Sequence, residues 1–123
     1  MPHYKDGTEA KIGDHVVGKL YNTAGVRAGT IVSITPGVDS CNAMVGYVEA
    51  VPMPADGKPK VPGMALRDTL ADGEDAGKRV PIMRVAKTEA HGSAGAEFAF
   101  FECADYCAIN ELTKVGPDVA EGA

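Results

Sequence analysis

The sequence predicts an all-β fold, a small antiparallel barrel or sandwich of five to seven short strands with one long Pro/Gly-rich loop. Short runs of β-branched and alternating apolar residues recur along the chain. Fifteen glycines and eight prolines supply many turns between them. A length of 123 residues suits one hydrophobic core. We therefore predict a single domain over residues 1–116, followed by a flexible acidic tail at residues 117–123.

The first predicted strand follows a turn at Gly13-Asp14. Val16, Gly18 and Leu20 alternate there on one face. Because a glycine inside a strand weakens it, Gly18 indicates a bulge or a close approach of another backbone.

The clearest element is a β-hairpin between residues 26 and 51. Its first strand, residues 26–35, is rich in β-branched side chains, and the second alternates small and apolar residues on two faces. Residues 36–40 form the turn, which contains a Pro-Gly pair. On the second strand, the face with Cys41, Ala43, Val45 and Tyr47 is predicted to be the buried one.

Residues 52–79 are predicted to form a long loop or arm. Four prolines in its first half prevent regular ladder hydrogen bonds. Loops of this length are often functional. The spacing of Met64, Leu66 and Leu70 predicts one helical turn near residues 65–70.

The C-terminal part predicts three more strands, over residues 79–89, 96–104 and 109–115. A turn or a single 3₁₀ turn is expected between the last two, at Asp105–Cys107. In the strand at 96–104, Phe98 and Phe100 lie opposite Phe101 and Cys103.

Aromatic side chains on both faces of one strand predict an interaction surface, since one face must be covered by the arm or by a partner. Protein docking or self-association is therefore expected. The predicted surface consists of Met64, Leu66, Leu70, Phe98, Phe100 and Phe101.

Charge and hydropathy limit the partners. A formal charge of −5, with scattered Lys and Arg, disfavours nucleic-acid binding. No apolar run predicts a membrane span. The first residues lack an apolar signal core, and three cysteines are an odd number, which together indicate reduced thiols and no export through a signal peptide.

Four segments carry a resemblance: Y-K-D-G-T-E-A-K-I-G-D-H-V-V-G-K, G-T-I-V-S-I-T-P-G, C-N-A-M-V-G-Y and D-Y-C-A-I-N-E-L-T-K-V. They resemble small, mostly uncharacterised phage and prophage proteins with a D-G-x5-G-D-x-V-x-G opening. The resemblance implies an SH3-like barrel and a location in the virion or the host cytoplasm. It implies no active site, and the long loop departs from a compact barrel.

Metal and catalytic sites are weakly indicated. Cys103 and Cys107 are spaced Cys-x-x-x-Cys without a second pair, so together with Cys41 they are interpreted as reduced core thiols rather than zinc ligands. No Cys–His pair has the spacing of a known nucleophile motif. The acidic residues lack EF-hand spacing and predict a solvated loop; they are Asp68, Asp72, Glu74 and Asp75. No metal, cofactor or catalytic residue is predicted.

These observations lead to three hypotheses. The first is a non-enzymatic phage structural or interaction module that docks on an assembly such as a virion capsid, in the manner of a decoration protein, or forms a homo-oligomer. The second is an anti-defence protein that sequesters a small molecule such as a nucleotide, with candidate contacts Arg27, Asn42, Tyr47 and Arg84 if they converge. The third is an antagonist of a host protein.

Overall fold

The computed structural model describes residues 2–38, 40–66 and 95–116, together with the backbone of residues 83–85. Within these residues it contains six β-strands and one 3₁₀ helix, at Ile109–Glu111. The strands are β1 His15–Lys19, β2 Val26–Thr35, β3 Asn42–Pro52, β4 Met83–Val85, β5 Phe98–Ala108 and β6 Thr113–Lys114.

The strands form one sheet in the order β4-β5-β3-β2-β1-β6. The pairs β1–β2, β1–β6, β2–β3 and β4–β5 are antiparallel. The predicted all-β antiparallel fold is therefore confirmed, and the strand number lies within the predicted range. No helix of the described residues is long and apolar enough to cross a membrane.

The chain divides into two compact units. The first comprises residues 1–47 and 104–123, and the second comprises residues 48–103. The prediction of one domain over residues 1–116 stays a prediction, and the tail at 117–123 lies outside the described residues.

The core of the first unit follows the predicted alternation. Val16 and Leu20 from the β1 segment, Ile31 from β2 and Val45 from β3 are almost completely buried. The strand pairing explains this, because Ile31 lies directly opposite Val45 and Val16 opposite Gly29. Burial of such aliphatic side chains contributes about 1.5–3 kcal/mol each.

The sequence predicted either a bulge or a close approach of another segment at Gly18, and the structure shows a close approach. A Cβ atom at this position would lie 2.6 Å from Leu112 Cδ2 and 3.3 Å from the Glu111 carbonyl oxygen. The missing side chain therefore lets the chain after the 3₁₀ helix pack directly onto β1.

In the second unit, part of the predicted arm is fastened along β5. The Met53 N–H donates to the Glu97 carbonyl, and the Leu66 N–H donates to the Glu102 carbonyl. Ala65 is buried and forms a β-bridge with Cys103, so the chain is extended at the point where a helical turn was predicted to start. The rest of the arm, including Leu70, lies outside the described residues.

The C-terminal elements differ from the prediction. Asp105–Cys107, expected to be a turn, lies inside β5, and the expected strand at 109–115 begins as a 3₁₀ helix. The odd-numbered residues of β5 form one buried row that runs through Asp105. A carboxylate is disfavoured in such a row, and its hydrogen-bond partners, described below, explain how it is accommodated.

Candidate functional site

Two surfaces of the first unit, both formed by described residues, are candidates for a functional site. One is the outer face of β1, β2 and β3. It is the side of these strands that points away from the buried row, and we define it by Val17, Val26, Ala28, Val32 and Met44. Val26 is 62% exposed and Val32 is 49% exposed. These five side chains are apolar, and they share this side of the sheet with His15, Lys19 and Thr30.

A β-bulge shapes this outer face. Ile31 pairs with Val45 and Ser33 pairs with Met44, which leaves Val32 as the extra residue of β2. Across the sheet, Gly46 has no side chain, and a Cβ atom there would lie 3.3 Å from Val32 Cγ1. Val32 therefore lies over the backbone of β3 with half of its surface exposed.

The second surface is an open groove of about 610 Å³. Three separate segments form it: the N-terminal turn, the end of β1, and the 3₁₀ helix with β6. Its lining residues are Lys5, Lys19, Leu20, Tyr21, Asn110, Glu111, Leu112 and Thr113. Leu20 and Leu112 are buried, whereas the six other residues are exposed, so polar and charged side chains surround an apolar floor.

Asp105 fastens the turn that follows β1 and carries Tyr21. Its Oδ2 accepts hydrogen bonds from the Asn22 N–H at 2.7 Å and the Thr23 hydroxyl at 2.8 Å. Its Oδ1 accepts from the Asn22 side-chain amide at 2.9 Å and the Tyr106 N–H at 2.8 Å. Burial raises the pKa of this carboxyl, but the hydrogen bonds outweigh burial, and the pKa lies below its usual value.

A second buried carboxylate holds the N-terminal turn that carries Lys5. Asp14 Oδ2 accepts hydrogen bonds from the Tyr4 hydroxyl at 2.7 Å and from the Lys11 N–H at 3.0 Å. Burial, and then the hydrogen bond to Asp14, raise the pKa of the Tyr4 phenol far above its usual value. Asp14 Oδ1 is buried without a hydrogen bond among the described residues, and Lys114 Nζ lies 4.0 Å from it.

Cys107 lies beneath the groove, between two of its lining residues, Lys19 and Glu111. Its thiol is completely buried, lies 3.5 Å from the Lys19 carbonyl oxygen and 3.9 Å from Glu111 Oε2, and can donate to either. Burial, followed by the charge of Glu111, raises the pKa of the thiol to about 11. The thiol is therefore protonated at neutral pH and is not activated as a nucleophile.

Three of the four candidate ligand contacts, Arg27, Asn42 and Tyr47, have described side chains, and they differ in exposure. Tyr47 is buried, and its hydroxyl is 2.9 Å from the Thr23 hydroxyl, so it belongs to the core rather than to a stacking surface. Arg27 donates from Nη1 to the carbonyl of its neighbour Val26. Asn42 accepts a long, 3.5 Å hydrogen bond from the Tyr21 hydroxyl. The side chain of Arg84 lies outside the described residues.

The residues of the predicted aromatic surface differ in how far they are buried. Phe101 is completely buried, because it lies in the odd-numbered row of β5, and it is therefore a core residue. Phe98, Phe100 and Met64 are half-buried, and Leu66 is 50% exposed. The structure therefore supports the predicted opposition of Phe98 and Phe100 to Phe101, but it removes Phe101 from the accessible surface.

The sequence did not point to the groove. Its lining residues are separated by most of the chain, and its two lysines, one in a turn and one at the end of β1, carry no local signal. The nearest indication was Gly18, which marked a place where two chain segments meet. Among the described residues, no group of three or more His, Cys, Asp or Glu can hold a metal ion.

Comparisons of the chain with protein-family models, with curated proteins and with solved structures found no match.

Proposed function

We propose that this chain is a non-enzymatic interaction module that self-associates through the outer face and takes part in a larger assembly, such as a phage virion shell. The observation that carries the proposal is the outer face itself, where Val26 and Val32 are largely open to water. Contiguous exposed apolar surface is typical of protein interfaces.

Charge favours a second copy of the chain as the partner at this face. With a formal charge of −5, two copies repel each other over most of their surfaces. Among the described residues of β1 and β2, the outer face has two ionisable residues, His15 and Lys19, at the two ends of β1. Two copies therefore meet at the lowest electrostatic cost when their outer faces are apposed.

The shape of the face also suits a symmetric contact. In a twofold dimer each copy contributes the same patch. Val32 itself covers the backbone of Gly46 and projects from the face as a bulge. In a twofold arrangement, the Val32 bulges of the two copies can pack beside each other.

The assembly context comes from the sequence. The D-G-x5-G-D-x-V-x-G opening resembles phage-encoded proteins, and virion shells are built from repeated copies of small modules.

The test is the mass in solution. Sedimentation velocity of the purified chain at rising concentration should give a multiple of the 12.7 kDa monomer. Val32→Lys should return the chain to the monomer mass, because a buried ammonium without a partner is strongly unfavourable in an interface.

Val38→Lys is the matched control. Val38 is fully exposed in the β2–β3 turn, away from the outer face, so this variant should assemble like the parent. A parent chain that stays monomeric at high concentration, or a Val32→Lys variant that keeps the assembled mass, would contradict the proposal.

A further inference from the structure

The groove has features that self-association through the outer face does not explain. It is open, about 610 Å³ in volume, and built from three segments that are far apart in sequence. Ligand sites for small molecules are commonly about 300–1,000 Å³. The volume is therefore sufficient for a ligand with a ring and a charged group.

The cations of the groove are available for a ligand. Lys5 and Lys19 both line it and are exposed, and within the described part of the chain neither ammonium group has a hydrogen bond or an ion pair. The groove contains one acidic residue, Glu111, against these two lysines. In a protein with a formal charge of −5, this local excess of positive charge favours an anion.

The other lining residues offer contacts to a planar, polar ring. Tyr21 is 56% exposed, so its ring is accessible for stacking. Its hydroxyl is within 3.5 Å of Asn42 Oδ1, which restricts the orientation of the ring. Asn110 adds an exposed amide that can both donate and accept hydrogen bonds.

The segments that form the groove are held in place by hydrogen bonds. The Tyr21 N–H donates to the Tyr106 carbonyl at 2.9 Å, and the Ile109 N–H donates to the Cys41 carbonyl at 2.9 Å. The turn after Tyr21 is fastened by Asp105, and the turn at Lys5 is held through Tyr4 and Asp14. A site with a fixed backbone loses less conformational entropy on binding.

From these contacts we propose that the groove binds a small anionic ligand with a planar ring, of the chemical class of a nucleoside monophosphate. Lys5 and Lys19 bind the phosphate, Tyr21 stacks on the base, and Asn110 binds its polar edge. Leu20 and Leu112 form the apolar floor beneath the ring. The groove and the outer face meet at Lys19, but none of the five residues that define the outer face lines the groove, so nucleotide binding is a second function beside self-association.

The test is thermal unfolding and calorimetric titration with the four common nucleoside 5′-monophosphates, adenosine and inorganic phosphate as probes. At about 5 mM, at least one nucleotide should raise Tm by about 3 °C or more. Adenosine has the ring without the phosphate, and inorganic phosphate has the anion without the ring, so each should raise Tm less than the nucleotide does.

Variants identify the site. Lys5→Ala/Lys19→Ala should lower the affinity for the nucleotide by about tenfold or more, and Tyr21→Leu should lower it while the response to phosphate stays unchanged. Lys11→Ala/Lys58→Ala removes the same charge at exposed positions outside the groove and should bind like the parent.

Four results would overturn the inference. These are no Tm change with any nucleotide, full affinity in the Lys5→Ala/Lys19→Ala variant, a phosphate effect equal to that of the nucleotide, or an adenosine effect equal to it. Repeating the titration on Val32→Lys separates this result from self-association, because that variant should bind the nucleotide whether or not it assembles.

Discussion

Asp105 is an aspartate in a core-facing row of a strand, between Cys103 and Cys107. Each of its carboxylate oxygens accepts two hydrogen bonds, and three of the four come from the turn after β1. The charge is thus compensated by donors fixed in the folded chain rather than by water. A carboxylate in this row is stable only while that turn is in place, so it couples β5 to β1.

Asp105→Asn should destabilise the protein by about 3 kcal/mol. Whichever way the new amide is turned, its NH₂ group faces two donors, because both carboxylate oxygens are acceptors in the parent. Urea unfolding at pH 7 measures the loss. Asp56→Asn is the control, since Asp56 accepts one N–H in an exposed turn and its loss should cost little.

The pH dependence gives the same residue a second test. Because the pKa of Asp105 is lowered by folding, its stabilisation is complete above the pKa of a free aspartate, about 3.9, and is lost as pH falls through the lower folded value. The stability difference between parent and Asp105→Asn should therefore shrink in acid. A difference that stays constant from pH 7 to pH 2 would exclude this role.

The role of Asp105 could not be predicted from the sequence. Aspartate is rare in strands and common in turns, so local propensity gave a turn at Asp105–Cys107. The residue that reverses this preference, Asn22, is 83 positions away. Local patterns predicted Phe98 and Phe101 on opposite faces correctly, because that depends only on the alternation of a strand.

The packing of the 3₁₀ helix segment on β1 depends on Gly18. The backbone there is not in the left-handed region, so the requirement for glycine comes from space alone. Leu112, which fills that space, is buried.

Gly18→Ala should destabilise the fold by about 1–3 kcal/mol, because the new methyl group overlaps Leu112 Cδ2 and approaches the Glu111 carbonyl. Gly63→Ala is the control, since a Cβ atom at Gly63 would have no neighbour within 4 Å. Chemical denaturation measures both variants.

A second substitution tests whether the overlap with Leu112 causes the destabilisation. Leu112→Ala alone should destabilise by leaving a cavity, but in the Gly18→Ala background it should cost less, giving a coupling free energy of about 0.5 kcal/mol or more. Strictly additive effects would show that the two residues do not compete for the same space.

Elements with strong local signals were predicted well. The hairpin of β2 and β3 was expected from its β-branched residues and its Pro-Gly turn, and β1 from its alternation. The bulge at Val32 and the 3₁₀ helix at Ile109–Glu111 were missed, because each is fixed by its pairing or packing with distant segments. For the same reason the groove, which needs three segments, left no pattern in the sequence.

The formal charge of −5 makes self-association and nucleotide binding depend on salt in opposite ways. Salt screens repulsion between copies, with a Debye length of about 10 Å at 0.1 M and about 3 Å at 1 M. Salt also screens the attraction between lysines and a phosphate.

Raising the NaCl concentration from about 0.05 M to 0.5 M should therefore strengthen self-association several-fold and weaken nucleotide binding several-fold. Sedimentation and calorimetric titration on one preparation measure both. Self-association that weakens with salt would indicate an interface held by charges, which would contradict the assignment to the outer face.

The first unit is built from two segments that are far apart in the sequence, and this affects how the chain folds. Residues 1–47 and 104–123 belong to this unit, and β1 is paired on one side with β2 and on the other with β6. During synthesis, the β1–β2–β3 segment emerges long before its last strand. Until Thr113 and Lys114 leave the ribosome, β1 has an open edge and Asn22 lacks the carboxylate of Asp105. Completion of this unit is therefore a late event that requires long-range contacts, and such contacts slow folding.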